Sequence, residues 1–302
     1  MATIGVAIVT YNRLEKLKTA LQSYALQTLL PAFVVVVNNK STDGTLDYLK
    51  EWIKKDDGFV KKVITTQTNI GGAGGFYEAM KESMEYDFDL LWISDDDAYP
   101  EKNSLMQISN YFRKTNKKIG AICGAVVENG LINVEHRNVY PKHRVRFPFG
   151  IPAPLSEYEK DEFKLDIFSY VGTAISRNAL EKCGLTKKEY FIWCDDAEHS
   201  MRISKCFEII CLPSVRIIHD VDKTNGSSFS WKTYYGIRNR FDAIKHNGTK
   251  NQFLYHYLSY LKAKFISFFK NKAQYRLIKT AFYDYKHKNF GISPIYKPGT
   301  KL

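Results

Sequence analysis

Three consecutive carboxylates, Asp95, Asp96 and Asp97, follow the apolar run Leu90–Ile93 and Ser94. At the end of a buried strand, three anions repel one another and lose hydration. A divalent cation relieves both costs, and hard carboxylate oxygens suit Mn²⁺ or Mg²⁺. In extended chain Asp95 and Asp97 point the same way, so both can approach one metal ion. The same residues also fit a solvated acidic turn with an aspartate capping a helix. A second cluster, Asp195, Asp196 and Glu198, follows Tyr190-Phe191-Ile192-Trp193-Cys194 and opens a helical stretch, Ala197–Ser204. It reads as helix-dipole stabilisation, or as a general base whose proton affinity is raised beside an aromatic wall. His219 ends a further apolar run, Val215–Ile218. It is either a structural imidazole or the group that completes a metal shell begun by carboxylates. Asn69-Ile70-Gly71-Gly72-Ala73-Gly74-Gly75 precedes a helix. It is a tight turn, or a cradle of backbone N–H groups for an anion. It lacks the Lys-Ser/Thr of a P-loop and is not G-x-G-x-x-G.

These groups need elements that bring them together. Ile4–Thr10 and Phe33–Val37 are short β-branched runs typical of buried parallel strands. Leu14, Leu17, Leu21 and Tyr24 fall at helical spacing within Arg13–Gln27. The pattern continues with a helix over Thr45–Lys54, a strand over Lys62–Thr66, a helix over Phe76–Tyr86 and a strand over Asp89–Ile93. Alternating strands and helices predict an α/β fold with a mostly parallel sheet flanked by helices. In such sheets ligands bind at the carboxyl ends of the strands. Each polar cluster above follows a strand or lies in a loop. Residues 133–165 carry Pro141, Pro148, Pro152 and Pro154 without a clear period, which predicts a long excursion over the site. A strand resumes over Phe168–Ser176. Near the end, Leu254, Leu258, Leu261, Phe265 and Phe268 recur at 4-3-4-3 spacing with lysines between them, within a helical segment from about Asn251 to Lys286.

The chain has 302 residues, 44% hydrophobic and 14% aromatic, which excludes global disorder. Its formal charge is +12, of which +11 resides in residues 245–302, with twelve Lys/Arg against Asp284 alone. A neutral body with a basic tail predicts an anionic surface met by the tail, and excludes a nucleic-acid groove across the body. A Lys-rich amphipathic segment reads as a membrane-surface element or as a helix packed on protein. The five cysteines form no C-x-x-C pair and read as reduced cytosolic thiols. Neither a secretory signal nor an apolar stretch of about 20 residues is present. The expectation is a cytoplasmic protein, peripheral at the inner face of the membrane, with a catalytic domain over 1–245 and a basic helical segment over 246–302.

Taken in order, Val9-Thr10-Tyr11-Asn12-Arg13, Asn38-Asn39-Lys40-Ser41-Thr42-Asp43-Gly44-Thr45, Asn69–Gly75, Asp95-Asp96-Asp97, Trp193–Glu198 and His219 resemble the family-two inverting glycosyltransferases of GT-A fold. Within them, the glycine-rich, Asp-Asp-Asp-Ala and Trp-Cys-Asp-Asp-Ala-Glu segments resemble the galactofuranosyltransferase and rhamnosyltransferase branch. Asn38 stands where many relatives carry Asp, and Cys194 is inserted between the Trp and the acid pair. The resemblance implies that Thr10, Tyr11, Arg13 and Asn39 line the nucleotide pocket, with Asn69, Gly74, Asp95 and Asp96 also on the donor. It implies that Asp95, Asp97 and His219 hold Mn²⁺ or Mg²⁺ against the diphosphate, and that Asp196 is the general base. Asp195, Glu198 and Trp193 would then meet the acceptor, and Arg238 or Arg240 a phosphate or lipid diphosphate. The implied reaction is transfer from UDP-galactofuranose to a glycan or lipid-linked glycan in bacterial capsule, O-antigen or cell-wall synthesis. A dTDP-rhamnose donor and a non-catalytic glycan-binding subunit are the alternatives. The sequence leaves open whether the chain forms a homo-oligomer.

Overall fold

A computed structural model describes residues 1–221 and 229–301. The chain begins with β1 (Ile4–Thr10), α1 (Leu14–Ala25), β2 (Phe33–Asn38), α2 (Thr45–Trp52), β3 (Val60–Thr65), α3 (Gly71–Ser83) and β4 (Leu90–Asp95). It continues through β5 (Ala98–Pro100), α4 (Ser104–Lys114), β6 (Ile119–Glu128) and β7 (Leu131–Ile132). Short strands follow: β8 (Arg137–Val139), β9 (Ile151–Pro152), β10 (Phe163–Leu165), β11 (Ile167–Phe168) and β12 (Thr173–Ser176). The last elements are α5 (Arg177–Cys183), α6 (Asp195–Ile203), β13 (Glu208–His219), α7 (Trp231–Asn247), α8 (Lys250–Lys270) and α9 (Lys272–Lys286).

The main sheet runs β10-β13-β6-β12-β4-β1-β2-β3, with β5 on β13 and β7 on β6. β1, β2, β3 and β4 are mutually parallel, as are β6 and β13. β12 enters antiparallel between β4 and β6, and β10 flanks β13 antiparallel. Every residue of β1 and β2 is buried, as their β-branched composition requires. The face of α1 bearing Leu17, Ala20, Leu21 and Tyr24 packs on this sheet, and the Trp92 indole N–H donates to the Tyr24 hydroxyl at 3.0 Å. Burying each such large apolar side chain contributes about 1.5–3 kcal/mol.

Four departures from the sequence reading have physical causes. The glycine-rich segment is not a turn before a helix at Phe76; it is the first turns of α3, which starts at Gly71. The predicted strand over Phe168–Ser176 is split into β11 and β12. Gly172 sits in the split at φ +66°, where a Cβ would lie 2.3 Å from the Ile217 side chain. The excursion over 133–165 is not structureless: β8, β9 and β11 form a small antiparallel sheet within it and beside it. The predicted C-terminal helix is two helices, broken at Asn271, whose side chain accepts from the Gln274 N–H at 3.0 Å to cap α9. Position 245 lies inside α7, and α9 packs against α7 through Leu277, Ala281 and Ile278. Among the described residues no helix is long and apolar enough to cross a membrane.

Candidate active site

Backbone pairing, not side-chain attraction, first assembles the site. Thr10, Asn38 and Asp95 end parallel neighbours on one edge of the sheet. Further along that edge Ile218 pairs with Val127, which sets His219 beside Glu128. β5 completes the arrangement: Ala98 pairs with His219, and the Asp220 N–H donates to the Asp97 carbonyl at 2.8 Å. Asp97 and His219, distant in sequence, are therefore held together.

His219 Nε2 lies 3.5 Å from Asp97 Oδ1, an oxygen buried with no hydrogen-bond partner among the described residues. The other ring nitrogen, Nδ1, lies 2.7 Å from Glu128 Oε1. Glu128 is itself held, by His136 Nε2 at 3.0 Å and by the Asn133 amide at 2.8 Å. Burial disfavours the Asp97 anion, but His219 and Arg13 outweigh it and keep its carboxyl below the usual range. For His219 burial opposes protonation while Asp97 and Glu128 raise the pKa. Asp95 behaves oppositely: burial, then Asp97 and Asp96, push it up to about 7. An orphaned carboxylate oxygen facing an imidazole whose far nitrogen is oriented by a second carboxylate matches a divalent-cation ligand pair. The residues present thus fit the expected metal. Glu128, His136 and His219 form an overlapping group, with one ligand atom each within 4.8 Å of the others.

A cleft of about 290 Å³ opens beside these acids, lined by Tyr11, Arg13, Asn39, Asn69, Asp95 and Asp96 among others. Asn39 is its brace. Its amide donates to Asn69 Oδ1 at 3.2 Å and to the Gly71 carbonyl at 2.9 Å, and its oxygen accepts from the Ile70 N–H at 2.9 Å. Arg13 bonds Asp96 at 3.3 Å and, more closely, Asp97. Burial pushes Asp96 up to about 6, against the pull of Arg13 and the Tyr11 N–H. Thr10 is buried beneath the cleft and does not line it. Gly74 is corrected too: Gly71 and Gly72 line the cleft, whereas Gly74 faces the Ile70 side chain. Gly71 lies so close to the Phe191 carbonyl that a Cβ would sit 2.0 Å from it, while Gly72 faces open space.

The loop Phe191–Cys194 separates this cleft from a second cavity of about 420 Å³, lined by Trp193, Cys194, Asp196, His136, Ser169 and Arg240 among others. Phe191, Trp193 and Cys194 all have positive φ (67°, 67° and 68°), a strained conformation for residues with a Cβ. Three neighbours hold it. The Ala73 N–H donates to the Phe191 carbonyl at 3.1 Å. The Asn239 amide donates to the carbonyls of Tyr190, Ile192 and Trp193 at 3.0, 3.0 and 2.9 Å. Arg238, fully buried, bonds the carbonyls of Tyr190, Asn289 and Gly291. Arg238 therefore cannot meet a phosphate; it ties the loop to the irregular chain that follows α9. Trp193 lies over Gly236 and keeps an open face to the cavity.

Asp195 and Asp196 begin α6. Burial pushes Asp196 up to about 6, although its Oδ1 accepts from the Ala197 N–H at 2.7 Å. Burial, then Asp196 and Asp95, raise Asp195 well above the ordinary range. Asp195 is buried and lines neither cavity, so the expected acceptor contact is not made; the His136 and His219 rings lie 5.3 Å apart between centroids. The acids thus lie at two adjoining cavities, Asp95 and Asp96 lining one and Asp196 the other. Glu198 belongs to neither. It is buried against Arg202 (2.9 Å), Asn247 (3.0 Å) and Lys187 (3.8 Å), so an acceptor contact is excluded. Glu128 and His136 were missed by sequence reasoning. Glu128 ends the apolar run Ile119–Val127 as Asp95 ends its own, and that signal was readable.

Chemically, one cavity is lined by the Asp95 and Asp96 carboxylates and the Arg13 guanidinium, with the Asp97–His219 pair joined to it through Arg13. The other offers a carboxylate of raised basicity beside an exposed indole. Residues 5–184 match the profile of Glycosyl transferase family 2. Galactofuranosyltransferase GlfT2 of Mycolicibacterium smegmatis is 25% identical over 272 residues, covering 79% of this chain and 40% of that protein. The chain therefore spans less than half of that relative's length. Among solved structures, GalNAc-T7 with UDP, GalNAc and Mn²⁺ superposes with a TM-score of 0.67 at 15% identity, over 95% of this chain and 56% of that one. S. aureus TarS 1–349 with UDP-GlcNAc does so with a TM-score of 0.61 at 16% identity, over 94% and 80%. These likenesses bear out the expected GT-A arrangement of sheet and helices.

Proposed function

The chain belongs to Glycosyl transferase family 2, and from that premise we propose that it is a divalent-cation-dependent, inverting galactofuranosyltransferase. The donor is UDP-galactofuranose, and the acceptor is a hydroxyl of a glycan or lipid-linked glycan in bacterial surface polysaccharide synthesis. The observation that supports this reading is that Asp97 pairs with His219 and with Arg13, which lines one cavity together with Asp95 and Asp96, while Asp196 lines the adjoining one. The likeness to GlfT2 supports the donor.

Tyr11, Asn39 and Asn69 would bind the nucleotide, and Gly72 leaves room for close approach. Asp97 and His219, with Asp95, would hold Mn²⁺ or Mg²⁺ at the diphosphate. When bound, such a cation neutralises charge developing on the leaving nucleoside diphosphate. Asp196 takes the proton of the acceptor hydroxyl as its oxygen attacks the anomeric carbon. The new C–O bond forms opposite the breaking bond to the diphosphate, so configuration inverts and UDP leaves. The carboxylates at both cavities favour this over a non-catalytic glycan-binding role.

The basic segment supports a membrane-surface position. Leu254, Leu258, Phe265 and Phe268 of α8 are more than half exposed, while other faces of the helix pack on α9 and α7. Lysines beside this row would meet anionic headgroups at the inner leaflet.

Purified protein with Mn²⁺ and a panel of nucleotide sugars tests the donor, read as nucleoside diphosphate release. UDP-galactofuranose should give the fastest release. Preference for dTDP-rhamnose would reassign the donor, and no release with any sugar nucleotide and a glycan acceptor would remove the enzyme reading.

A further inference from the structure

The two nitrogens of His219 face two different sets of ligand atoms. Nε2 faces Asp97, whereas Nδ1 faces Glu128 Oε1, and that same oxygen lies 3.0 Å from Nε2 of His136. Three separate elements supply this second set. Glu128 ends β6, His219 ends β13, and His136 immediately precedes β8. One ligand atom from each lies within 4.8 Å of the others, and the two imidazoles meet edge to face.

The supports that hold such ligands are already in place. The Ser169 hydroxyl lies 2.8 Å from the far nitrogen of His136, Nδ1, and the Asn133 amide donates to Glu128 Oε2 at 2.8 Å. A hydroxyl donates to an imidazole nitrogen or accepts from it, so Ser169 supports the tautomer of His136 whose Nε2 lone pair is free. All three side chains are less than one-fifth exposed, which shields an ion from bulk water. His136 also lines the second cavity, which gives a cation and its water a way in.

Two imidazoles and one carboxylate suit Zn²⁺ better than Mn²⁺. Ligands of a tetrahedral zinc stand roughly 3.3 Å apart. The contacts of Glu128 Oε1 with the two rings, at 2.7 and 3.0 Å, therefore need only a small spread to admit the ion. A neutral imidazole offers a single lone pair. Zinc on Nδ1 of His219 leaves the proton on Nε2, which then faces Asp97 as an N–H and holds no second cation.

We propose that Glu128, His136 and His219 form a zinc site, and that zinc there excludes the catalytic cation by engaging the shared imidazole through its other nitrogen. The zinc site stands on the contacts above. The exclusion rests on the transferase reading, in which His219 Nε2 belongs to the Mn²⁺ or Mg²⁺ shell.

Calorimetric titration of zinc chloride into the wild type and His136→Gln tests the site. Paramagnetic resonance of Mn²⁺ with UDP, before and after one equivalent of zinc, tests the exclusion. The wild type should bind zinc roughly tenfold or more tightly than the variant. Zinc should weaken Mn²⁺ binding to the wild type by a similar factor and leave that of the variant unchanged. X-ray absorption at the zinc edge of the wild type needs no variant: two imidazoles at about 2.0–2.1 Å support the site. A single imidazole, with Mn²⁺ displaced equally from both proteins, places zinc beside Asp97 and overturns the proposal. A wild type that binds no zinc also overturns it, and leaves the transferase reading intact. Zinc held through His136 with Mn²⁺ affinity undiminished overturns the exclusion and takes His219 out of the manganese shell. Zinc binding without binding of Mn²⁺ or UDP supports the site and removes the transferase reading.

Discussion

Glu128 Oε1 lies 2.7 Å from Nδ1 of His219, on the side of the ring away from Asp97. This contact fixes the tautomer and the ring plane, leaving Nε2 as the nitrogen that faces Asp97. Glu128→Gln should therefore weaken Mn²⁺ binding by about 10–100-fold while the protein stays folded. Calorimetric titration of Mn²⁺ in the presence of UDP checks it. Unchanged affinity would mean that Glu128 does not orient a ligand.

The strained loop between the cavities depends on Asn239. Asn239→Ala removes the side-chain donor of the Ile192 and Trp193 carbonyls, while that of Tyr190 keeps Arg238. The expected cost is about 2 kcal/mol or more, seen as a drop of several degrees in melting temperature. Since Trp193 and Asp196 lose their mount, the acceptor KM should rise more than the donor KM. A variant with wild-type stability and kinetics would show that the loop holds its shape unaided.

His199 is fully buried between the Tyr170 hydroxyl (2.8 Å) and the Gly184 carbonyl (2.9 Å). Burial, then Arg202, lowers its pKa to about 3. The unfolded chain takes up the proton near the ordinary value of about 6.5, so this group stabilises the fold fully above that pH. That contribution is lost as pH falls from there toward 3, at up to about 1.4 kcal/mol per pH unit. Asp95 and Asp196 act in the opposite sense: their raised pKa values favour the fold at low pH and cease to do so as pH rises through 6–7. Urea unfolding of the wild type and His199→Gln from pH 4 to 7 isolates the histidine. The wild-type slope should exceed that of the variant by nearly one proton over pH 4–6. Parallel slopes would show that His199 does not titrate differently on unfolding.

The exposed row on α8 makes a membrane prediction that avoids truncation. Cutting the chain before α8 would also remove α9 and the residues that bind Arg238, so loss of function would be uninformative. Leu258→Glu with Phe265→Glu changes only exposed positions. Stability should stay within about 0.5 kcal/mol, while partitioning to phosphatidylglycerol vesicles falls at least tenfold. Equal sedimentation with vesicles for both proteins would rule out this face as the contact.

Part of this site was readable in the sequence because strand ends announce themselves. Asp95–Asp97 and His219 each follow an apolar run, and the parallel order places such ends on one edge. The pairing of β5 with β13, which joins Asp97 to His219, lies in a three-residue strand with no periodic signal. Glu198 was misread because it lies two residues beyond Asp196, about 200° around the helix, and so faces the core. The glycines of α3 were misread because intrinsic propensity disfavours them in a helix. Packing overrides it: a Cβ at Gly75 would sit 2.5 Å from the Val9 side chain. Arg238 was set against a phosphate because no local pattern reveals three distant carbonyls waiting for it.

The central claim is that Asp196 accepts the acceptor proton beside a separate donor cleft. The decisive measurement is the pH–rate profile of sugar transfer for the wild type and Asp196→Asn, with donor binding measured in parallel. Asp196 is protonated below its pKa of about 6, so wild-type turnover should rise with pH through that value. Asp196→Asn should bind UDP-sugar normally, lose about 10²–10⁴-fold in kcat and lose that rise. A variant that transfers sugar at the wild-type rate, with the same pH profile, would contradict the account.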